Sequence, residues 1–202
     1  MNNKKAAMFG LDARIALAIF GALSVISGAA LYSAIAEAKA TATLAEANEL
    51  LKAAEQYLLD TGSYVGSVSN DDNLKVANLL EDSGVLGWNG PYISGYKKSS
   101  TWPELILNKG TVSYGLIRGV ESNWATATTA DTKCSNTETN PCYVWVYVGI
   151  DIAESTLKSL EARIDGTATP GSSDLTGNFR YNVASKYMYM KGFIYDAKQA
   201  ID

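Results

Sequence analysis

The chain has 202 residues, of which 47% are hydrophobic and 19% charged, so it is not a disordered polymer and can form a globular domain. Its net charge is −4 and it has no basic patch with interleaved aromatic residues, which argues against a nucleic-acid partner. It has no histidine, so a Ser-His-Asp or Cys-His pair cannot form within it. An enzyme would need a carboxylate pair or a Ser-Lys dyad, and no spacing singles one out, so we expect no enzyme activity.

The N-terminus divides into a short basic leader, residues 1–10, which ends at Gly10, and an uncharged apolar run over residues 15–36. A helix crosses a bilayer core with about 20 apolar residues, so this run predicts a transmembrane segment. The alternative is a secretory signal peptide cut after Ala36, where small residues precede the cut. The run is longer than usual for such a peptide, and no helix-breaking residue precedes Ala36.

The charges that flank the apolar run predict its orientation. Lys4, Lys5 and Arg14 precede the run, while Glu37 and Lys39 follow it. The positive-inside rule therefore predicts a single pass with the N-terminus in the cytoplasm and the rest of the chain outside.

The helix is predicted to continue beyond the membrane, over residues 11–60 in all. No Gly or Pro occurs between Ala29 and Thr61, and Ala is frequent, so helix propensity is high. An apolar stripe at 3- and 4-residue spacing is formed by Leu44, Ala47, Leu51, Ala54 and Leu58. We expect this stripe to pack on the head, residues 61–202.

This N-terminal pattern resembles that of type IV pilins and type II secretion pseudopilins. The matching residues are Lys4, Lys5, Gly10 and the long helix from Leu11 onward. The resemblance implies that prepilin peptidase cuts between Gly10 and Leu11, and that Leu11 becomes the N-methylated first residue. It also implies residence in the bacterial inner membrane, with the head in the periplasm or on an extracellular filament, and assembly into a homo- or hetero-oligomeric filament with other pilins or pseudopilins.

One position departs from the family. Its members usually place a glutamate at the fifth mature position, where it neutralises the N-terminal amine of a neighbour, but Ile15 stands here. The nearest carboxylate is Asp12, which could meet that amine or pair with Arg14. Members that lack the glutamate include minor pseudopilins at the filament tip, so the departure leaves open the place of this subunit in the filament.

The head is predicted to add a small antiparallel sheet and short helices, which makes an α+β, pilin-like fold. Asp71 or Asp72 would cap a helix over residues 73–80. Trp88-Asn89-Gly90-Pro91-Tyr92 resembles a segment of major pseudopilin heads, within a turn that enters a strand over residues 87–93. The remaining predicted elements are strands at 111–117, 143–149 and 187–190 and a helix at 155–164.

Two loops carry candidate sites. Cys134 and Cys142 lie eight positions apart in a polar loop, which in an exported domain favours a disulfide over two free thiols. Asp165 and Asp174 lie in a Gly/Ser/Thr-rich loop over residues 165–177 with calcium-type ligands, and pseudopilin heads often hold a calcium ion in a late loop. The alternative is an ordinary turn without metal, because Asp and Gly are common turn residues and no EF-hand spacing is present.

The sequence therefore predicts a structural filament subunit without certain cofactors. The alternative is a minor or tip subunit that acts as a membrane-tethered binding or adhesion module. Trp88, Trp102 or Trp124 could then contact a ligand, although we expect at least two of the three to be core residues. The sequence does not separate a type II secretion system from a type IV pilus.

Overall fold

The computed structural model describes residues 3–67, 72–122, 124, 134, 141–149, 152–166 and 173–196, with side chains from Gly10 onward except that of Ser173. The chain divides into two compact units, Met1–Lys39 and Ala40–Asp202. The division falls inside the long helix, whereas the sequence pattern separates helix from head at residue 61. It falls there because the core of the larger unit begins with the buried side chain of Ala40.

Helix α1 spans Asn3–Thr61, so it includes most of the basic leader. It ends one residue beyond the predicted limit, where Gly62 adopts the left-handed conformation with φ 69° and its N–H donates to the Leu58 carbonyl at 2.9 Å. The hydroxyl of Thr61 donates to the Tyr57 carbonyl at 2.7 Å and satisfies another carbonyl of the last turn.

The part of α1 within the larger unit buries one face against the head. Of the predicted stripe, Ala47, Leu51 and Ala54 are buried, while Leu44 and Leu58 are half-buried at its borders. The buried face is wider than the predicted stripe and extends to one side of it. The buried residues outside the stripe are Ala40, Thr43, Leu50, Ala53 and Tyr57. The predicted packing of the stripe on the head is confirmed, with the contact displaced toward Leu50 and Tyr57.

In the described residues the head forms an eight-stranded antiparallel sheet. Its strands are β1 Asn73–Leu74, β2 Lys97–Lys98, β3 Leu107–Lys109, β4 Val112–Val120, β5 Cys142–Gly149, β6 Ser173–Asp174, β7 Phe179–Asn182 and β8 Tyr187–Ile194. The order is β2-β3-β4-β5-β8-β7-β6, and β1 pairs with β4. With α1, and with α2 at Glu154–Ile164, this is the predicted α+β fold.

The two faces of the sheet have different neighbours, because side chains alternate along a strand. On β5, Val144, Val146 and Val148 join the core that contains the buried residues of α1. Trp145 and Tyr147 belong to a second cluster on the opposite side of the sheet, which we call the outer face. The other members of that cluster with less than one tenth of their surface exposed are Ile117, Val120, Trp124 and Tyr189.

Two local predictions were wrong. The helix predicted over residues 73–80 is instead strand β1 followed by a 3₁₀ helix, Val76–Leu79, because Asn73 and Leu74 pair with Ile117 and Leu116 of β4. Asp72 does not cap a helix, since its carboxylate pairs with Arg118 at 3.0 Å, and Asp71 lies outside the described residues.

The turn predicted over residues 87–93 does not enter a strand within that described segment. The Tyr92 N–H donates to the Leu79 carbonyl at 2.8 Å, outside any strand, and the Gly90–Pro91 bond is cis. The turn itself is present at Leu86–Gly87, and Trp88 and Tyr92 are half-buried, with rings in edge-to-face contact at 5.8 Å. Strand β8 extends four residues beyond its predicted end.

Candidate functional site

The first candidate site is the apolar part of α1 within the smaller unit. Its large hydrophobic side chains between residues 11 and 35 are 47–76% exposed, and they are Leu11, Ile15, Leu17, Ile19, Phe20, Leu23, Val25, Ile26, Leu31, Tyr32 and Ile35. Of the described helices, α1 alone is long and apolar enough to span a membrane, and none of its most apolar stretch is buried. A signal sequence at an N-terminus meets the same criterion. A helix that is apolar on all sides needs a non-aqueous surrounding.

The residues of the predicted processing and charge site lie on this exposed helix. Gly10, Leu11, Asp12, Arg14 and Ile15 are all exposed within α1. No ion pair joins Asp12 to Arg14 in the described part of the chain, as expected for residues two apart on a helix, whose side chains do not face each other. Of the two alternatives for Asp12, pairing with Arg14 is therefore not seen among the described side chains.

The predicted disulfide between Cys134 and Cys142 is present, with Cα atoms 5.8 Å apart. Cys142 is the first residue of β5 and lies opposite Val120, the last residue of β4, in the sheet register. Its carbonyl accepts a hydrogen bond from the Tyr195 N–H at 2.8 Å. The disulfide thus attaches Cys134 to the end of the two central strands, β4 and β5.

The two aspartates of the late loop are occupied by local donors. Asp165 accepts from the backbone N–H groups of Asn178 and Phe179 at 3.0 and 2.9 Å, and from the Asn178 side chain at 3.0 Å. Asp174 accepts from the Thr176 N–H and hydroxyl, both at 2.7 Å. Among the described residues, no group of three or more Asp, Glu, His or Cys is placed to hold a metal ion. The calcium site stays a prediction, and these donors do not favour it.

Arg180 supplies a cation beside the same loop, which sequence reasoning did not anticipate. Its side chain is fully buried, and its guanidinium carbon lies 4.3 Å from the ring centroids of both Trp124 and Trp145. It donates to three backbone carbonyls at 2.7–3.2 Å, those of Glu121, Ser122 and Gly177. Burial lowers its pKa to about 10, a shift that the carboxylates of Asp174, Asp165 and Glu121 oppose, so it stays charged at neutral pH.

The three tryptophans proposed as ligand contacts have different environments. Trp124 is buried on the outer face, with its ring 4.8 Å from that of Trp145. Trp88 is half-buried and donates its indole N–H to the Asn78 carbonyl at 2.9 Å. Trp102 is 58% exposed. Of the three, Trp102 alone presents most of its surface to solvent.

Searches against protein-family models, curated proteins and solved structures return no match to this chain.

Proposed function

We propose that this chain is a structural subunit, a pilin or pseudopilin, of a type IV pilus-like or type II secretion filament. The observation that carries the proposal is the difference in burial between the two parts of α1. Its apolar side chains from Leu11 to Ile35 are exposed, whereas Leu50, Ala54 and Tyr57 are core residues of the head. One helix thus combines a segment that requires an apolar surrounding with a segment that belongs to a folded domain.

A filament core and a bilayer would each supply that surrounding. The apolar segment would lie in the inner membrane before assembly, and after assembly it would pack against the same segment of neighbouring subunits. Small residues such as Gly21, Ser24 and Gly28 allow close approach of helix backbones in lipid. Apart from the adjoining residues and backbone of α1 itself, no atom of the described residues lies within 4 Å of the position that a Cβ atom would take at Gly21 or Gly28, so a partner helix would find open space there.

The charges at the two ends of the segment support an orientation with the N-terminus in the cytoplasm and the head in the periplasm. Prepilin peptidase would then cut between Gly10 and Leu11 on the cytoplasmic side. We propose no catalytic role, since a chain without histidine lacks the commonest general base.

Ile15 favours a second candidate, a minor or tip subunit that acts as a membrane-tethered binding or adhesion module. A subunit in the middle of a filament needs a carboxylate near the N-terminal amine of its neighbour, because a charge buried in an apolar core requires a partner. Ile15 cannot supply this carboxylate. A subunit at an end of the filament has fewer neighbouring N-terminal amines to neutralise, so it would need the carboxylate less.

Intact-mass analysis of the membrane-expressed, full-length chain, with and without prepilin peptidase, tests the first proposal. We expect loss of residues 1–10 and methylation of Leu11 only when the peptidase is present. Gly10→Ala should prevent the cut, whereas Gly21→Ala, a matched change in the same exposed helix, should not. A mature N-terminus near Glu37, or retention of Met1 with active peptidase, would contradict it.

Counting subunits along purified filaments separates the two candidates, because a tip subunit occurs once and a major subunit throughout. The variant Ile15→Glu, with Ile15→Gln as its uncharged control, tests whether the missing carboxylate determines the place of this subunit in the filament. If the missing carboxylate keeps this subunit at the tip, Ile15→Glu should increase its number per filament and Ile15→Gln should not.

A further inference from the structure

The head carries a cleft of about 300 Å³ between the 3₁₀ helix, strand β2 and the turn that precedes β3. We call it the charged cleft, because five of the residues that line it are charged: Lys75, Lys98, Glu81, Asp82 and Glu104. Its volume lies at the lower end of the range of small-ligand sites, about 300–1,000 Å³, which corresponds to one small molecule.

Backbone hydrogen bonds fix the segments that form the walls of the charged cleft. The Ala77 N–H donates to the Glu104 carbonyl at 3.1 Å, which attaches the turn that carries Glu104 to the 3₁₀ helix. The Lys75 N–H donates to the Gly66 carbonyl at 2.7 Å, which fixes the chain just before that helix. Lys75 and Glu104 are therefore held by backbone contacts that do not involve their charged groups.

Two of the five charged groups have no partner in the described part of the chain. Lys98 and Glu81 form an ion pair at 2.8 Å, and Oδ1 of Asp82 accepts at 2.8 Å from the backbone N–H two residues further on. Within the described residues, neither the ammonium of Lys75 nor the carboxylate of Glu104 makes an ion pair or a hydrogen bond, with each other or with another group. The charged cleft thus offers one cation and one anion to a ligand.

We propose that the charged cleft binds a free basic amino acid, such as lysine, arginine or ornithine. The α-carboxylate of the ligand pairs with Lys75 and its α-ammonium pairs with Glu104, so both unpaired charges gain a partner. The second carboxylate oxygen of Asp82 accepts from the cationic side chain of the ligand. The lining has two ammonium groups and three carboxylates, a net charge of −1, which a ligand with net charge +1 balances.

Other small ligands match the charged cleft less well. A simple anion such as phosphate would pair with Lys75 but would be repelled by the excess of carboxylates. A diamine would pair with the carboxylates and bring a further cation close to Lys75. Among the described residues, no group of three or more Asp, Glu, His or Cys is placed to hold a metal ion. The proposal uses head residues alone and does not depend on the filament assembly.

Saturation-transfer NMR on the full-length protein tests the proposal, in micelles of a non-ionic maltoside detergent and at low ionic strength, because salt screens exposed charges. The probes are lysine, alanine, glutamate and cadaverine, each up to about 50 mM, above the millimolar affinity of a small ligand held by a few ion pairs. Cadaverine is lysine without its carboxylate, so this pair isolates the contact with Lys75. We expect saturable binding that is strongest for lysine, weaker for alanine, and weakest for glutamate and cadaverine.

Three variants test the contacts one at a time. Lys75→Met removes the ammonium and keeps a long side chain, so it should lower the affinity for lysine about threefold and leave that for cadaverine equal or higher. Glu104→Gln should lower the affinity for lysine by a similar factor. Lys97→Met is the matched control, because Lys97 is exposed on β2 and does not line the charged cleft, and it should leave the affinity for lysine unchanged.

The proposal is overturned if lysine does not saturate, or if cadaverine or glutamate binds the unaltered protein as tightly as lysine does. These comparisons use no variant, so they hold even where a substitution impairs folding. The assigned contacts are overturned if Lys75→Met or Glu104→Gln binds lysine like the unaltered protein, or if Lys97→Met weakens binding equally. Tryptophan fluorescence during urea unfolding checks that each variant is folded.

Discussion

The ring of Tyr147 lies over Gly115, its register partner on the adjacent strand, in the space where any larger residue would place its Cβ atom. A glycine within a strand weakens it, because it has more conformational freedom to lose and no side chain to pack. Here the tyrosine ring occupies the missing volume, so the pair acts as one packing unit on the outer face.

Gly115→Ala should therefore lower the free energy of unfolding by about 1–3 kcal/mol, the usual effect of an extra methyl group in a packed site. Urea unfolding of the full-length protein in micelles, followed by tryptophan fluorescence, measures the change. The control is the same substitution in a Tyr147→Ala background, where the ring that clashes is absent. An equal loss in both backgrounds would contradict the proposed packing unit.

Tyr181→Phe should raise the free energy of unfolding by about 1 kcal/mol at neutral pH. Tyr181 is fully buried, and its hydroxyl oxygen makes no hydrogen bond of standard geometry among the described residues. The Glu161 carboxylate lies close enough to add to the rise in its pKa that burial causes, so we take this contact as poorly aligned and weak. Removal of an unsatisfied buried hydroxyl removes its desolvation penalty, while the ring keeps its packing. Urea unfolding again provides the measurement.

Tyr114→Phe is the matched control, because this phenol is equally buried but donates to the carboxylate of Glu46 on α1. A hydrogen bond to a charged group contributes about 1.5–3 kcal/mol, so this substitution should lower stability by that amount. The opposite signs of the two substitutions are the test. A loss at Tyr181 as large as that at Tyr114 would show that both hydroxyls are bonded.

Stability should fall when the pH rises above 10. Burial raises the pKa of Tyr181 and of Tyr189 to about 12, and it raises the pKa of Tyr96 and of Tyr114 as well. In the unfolded chain these phenols ionise near their ordinary pKa of about 10, so above that pH the folded state binds more protons. Stability that is fully present below pH 10 is then lost at about 1.4 kcal/mol per pH unit and phenol until the folded pKa is reached.

Arg180 acts in the opposite sense, because its lowered pKa makes the folded state lose this proton before the unfolded state does. Four phenols outweigh one guanidinium, so the net change remains a loss. Urea unfolding at about pH 8, 10 and 11 measures it, and absorbance near 295 nm reports phenol ionisation separately. A flat stability profile up to pH 11 would disagree with the buried phenols.

Removal of the disulfide by the double change Cys134→Ser and Cys142→Ser should lower the unfolding free energy by roughly 2–3 kcal/mol, from the entropy of closing a short loop. The residues are eight positions apart, so the cross-link restricts a short segment of the unfolded chain. A reducing agent should destabilise the wild type by the same amount and leave the variant unchanged. If the reductant has no effect on the wild type, the cross-link does not contribute to stability.

The sequence could predict the elements that have a strong local pattern, but not those that are determined by pairing with distant strands. Strand β5 and helix α2 have strong local patterns and appear within a residue of their predicted starts. Strands β3 and β7 are short and mixed in polarity, and their partners on β4 and β8 determine them. The pairing of Asn73 and Leu74 with β4 overrode a local helical preference in the same way.

The candidate sites show the same limit. The cysteine pair could be predicted from the sequence because it depends on local spacing. The processing site at Gly10 and Leu11, which depends on local spacing too, stays a prediction. The sandwich of Arg180 between Trp124 and Trp145 joins residues far apart in the chain, which local spacing does not reveal. The glycines at 115 and 149 within strand patterns were the available signal for the close approach of Tyr147 and Tyr187 to the strands, since a strand glycine often marks such an approach.

The buried side chains of α1 in the described residues run from Ala40 to Tyr57. Residues 40–61 therefore pack on the rest of the head as a bound peptide would, except that the chain connects them to it. A fragment that begins at residue 62 would expose an empty trough as long as that peptide, whereas one that begins at Ala40 would keep it filled. A synthetic peptide of residues 40–61, added in trans, should therefore complement the shorter fragment. The same trough would also accept residues 40–61 of another copy, which would give a domain-swapped dimer. In the intact chain the covalent connection keeps the chain's own segment close to the trough, which disfavours this exchange.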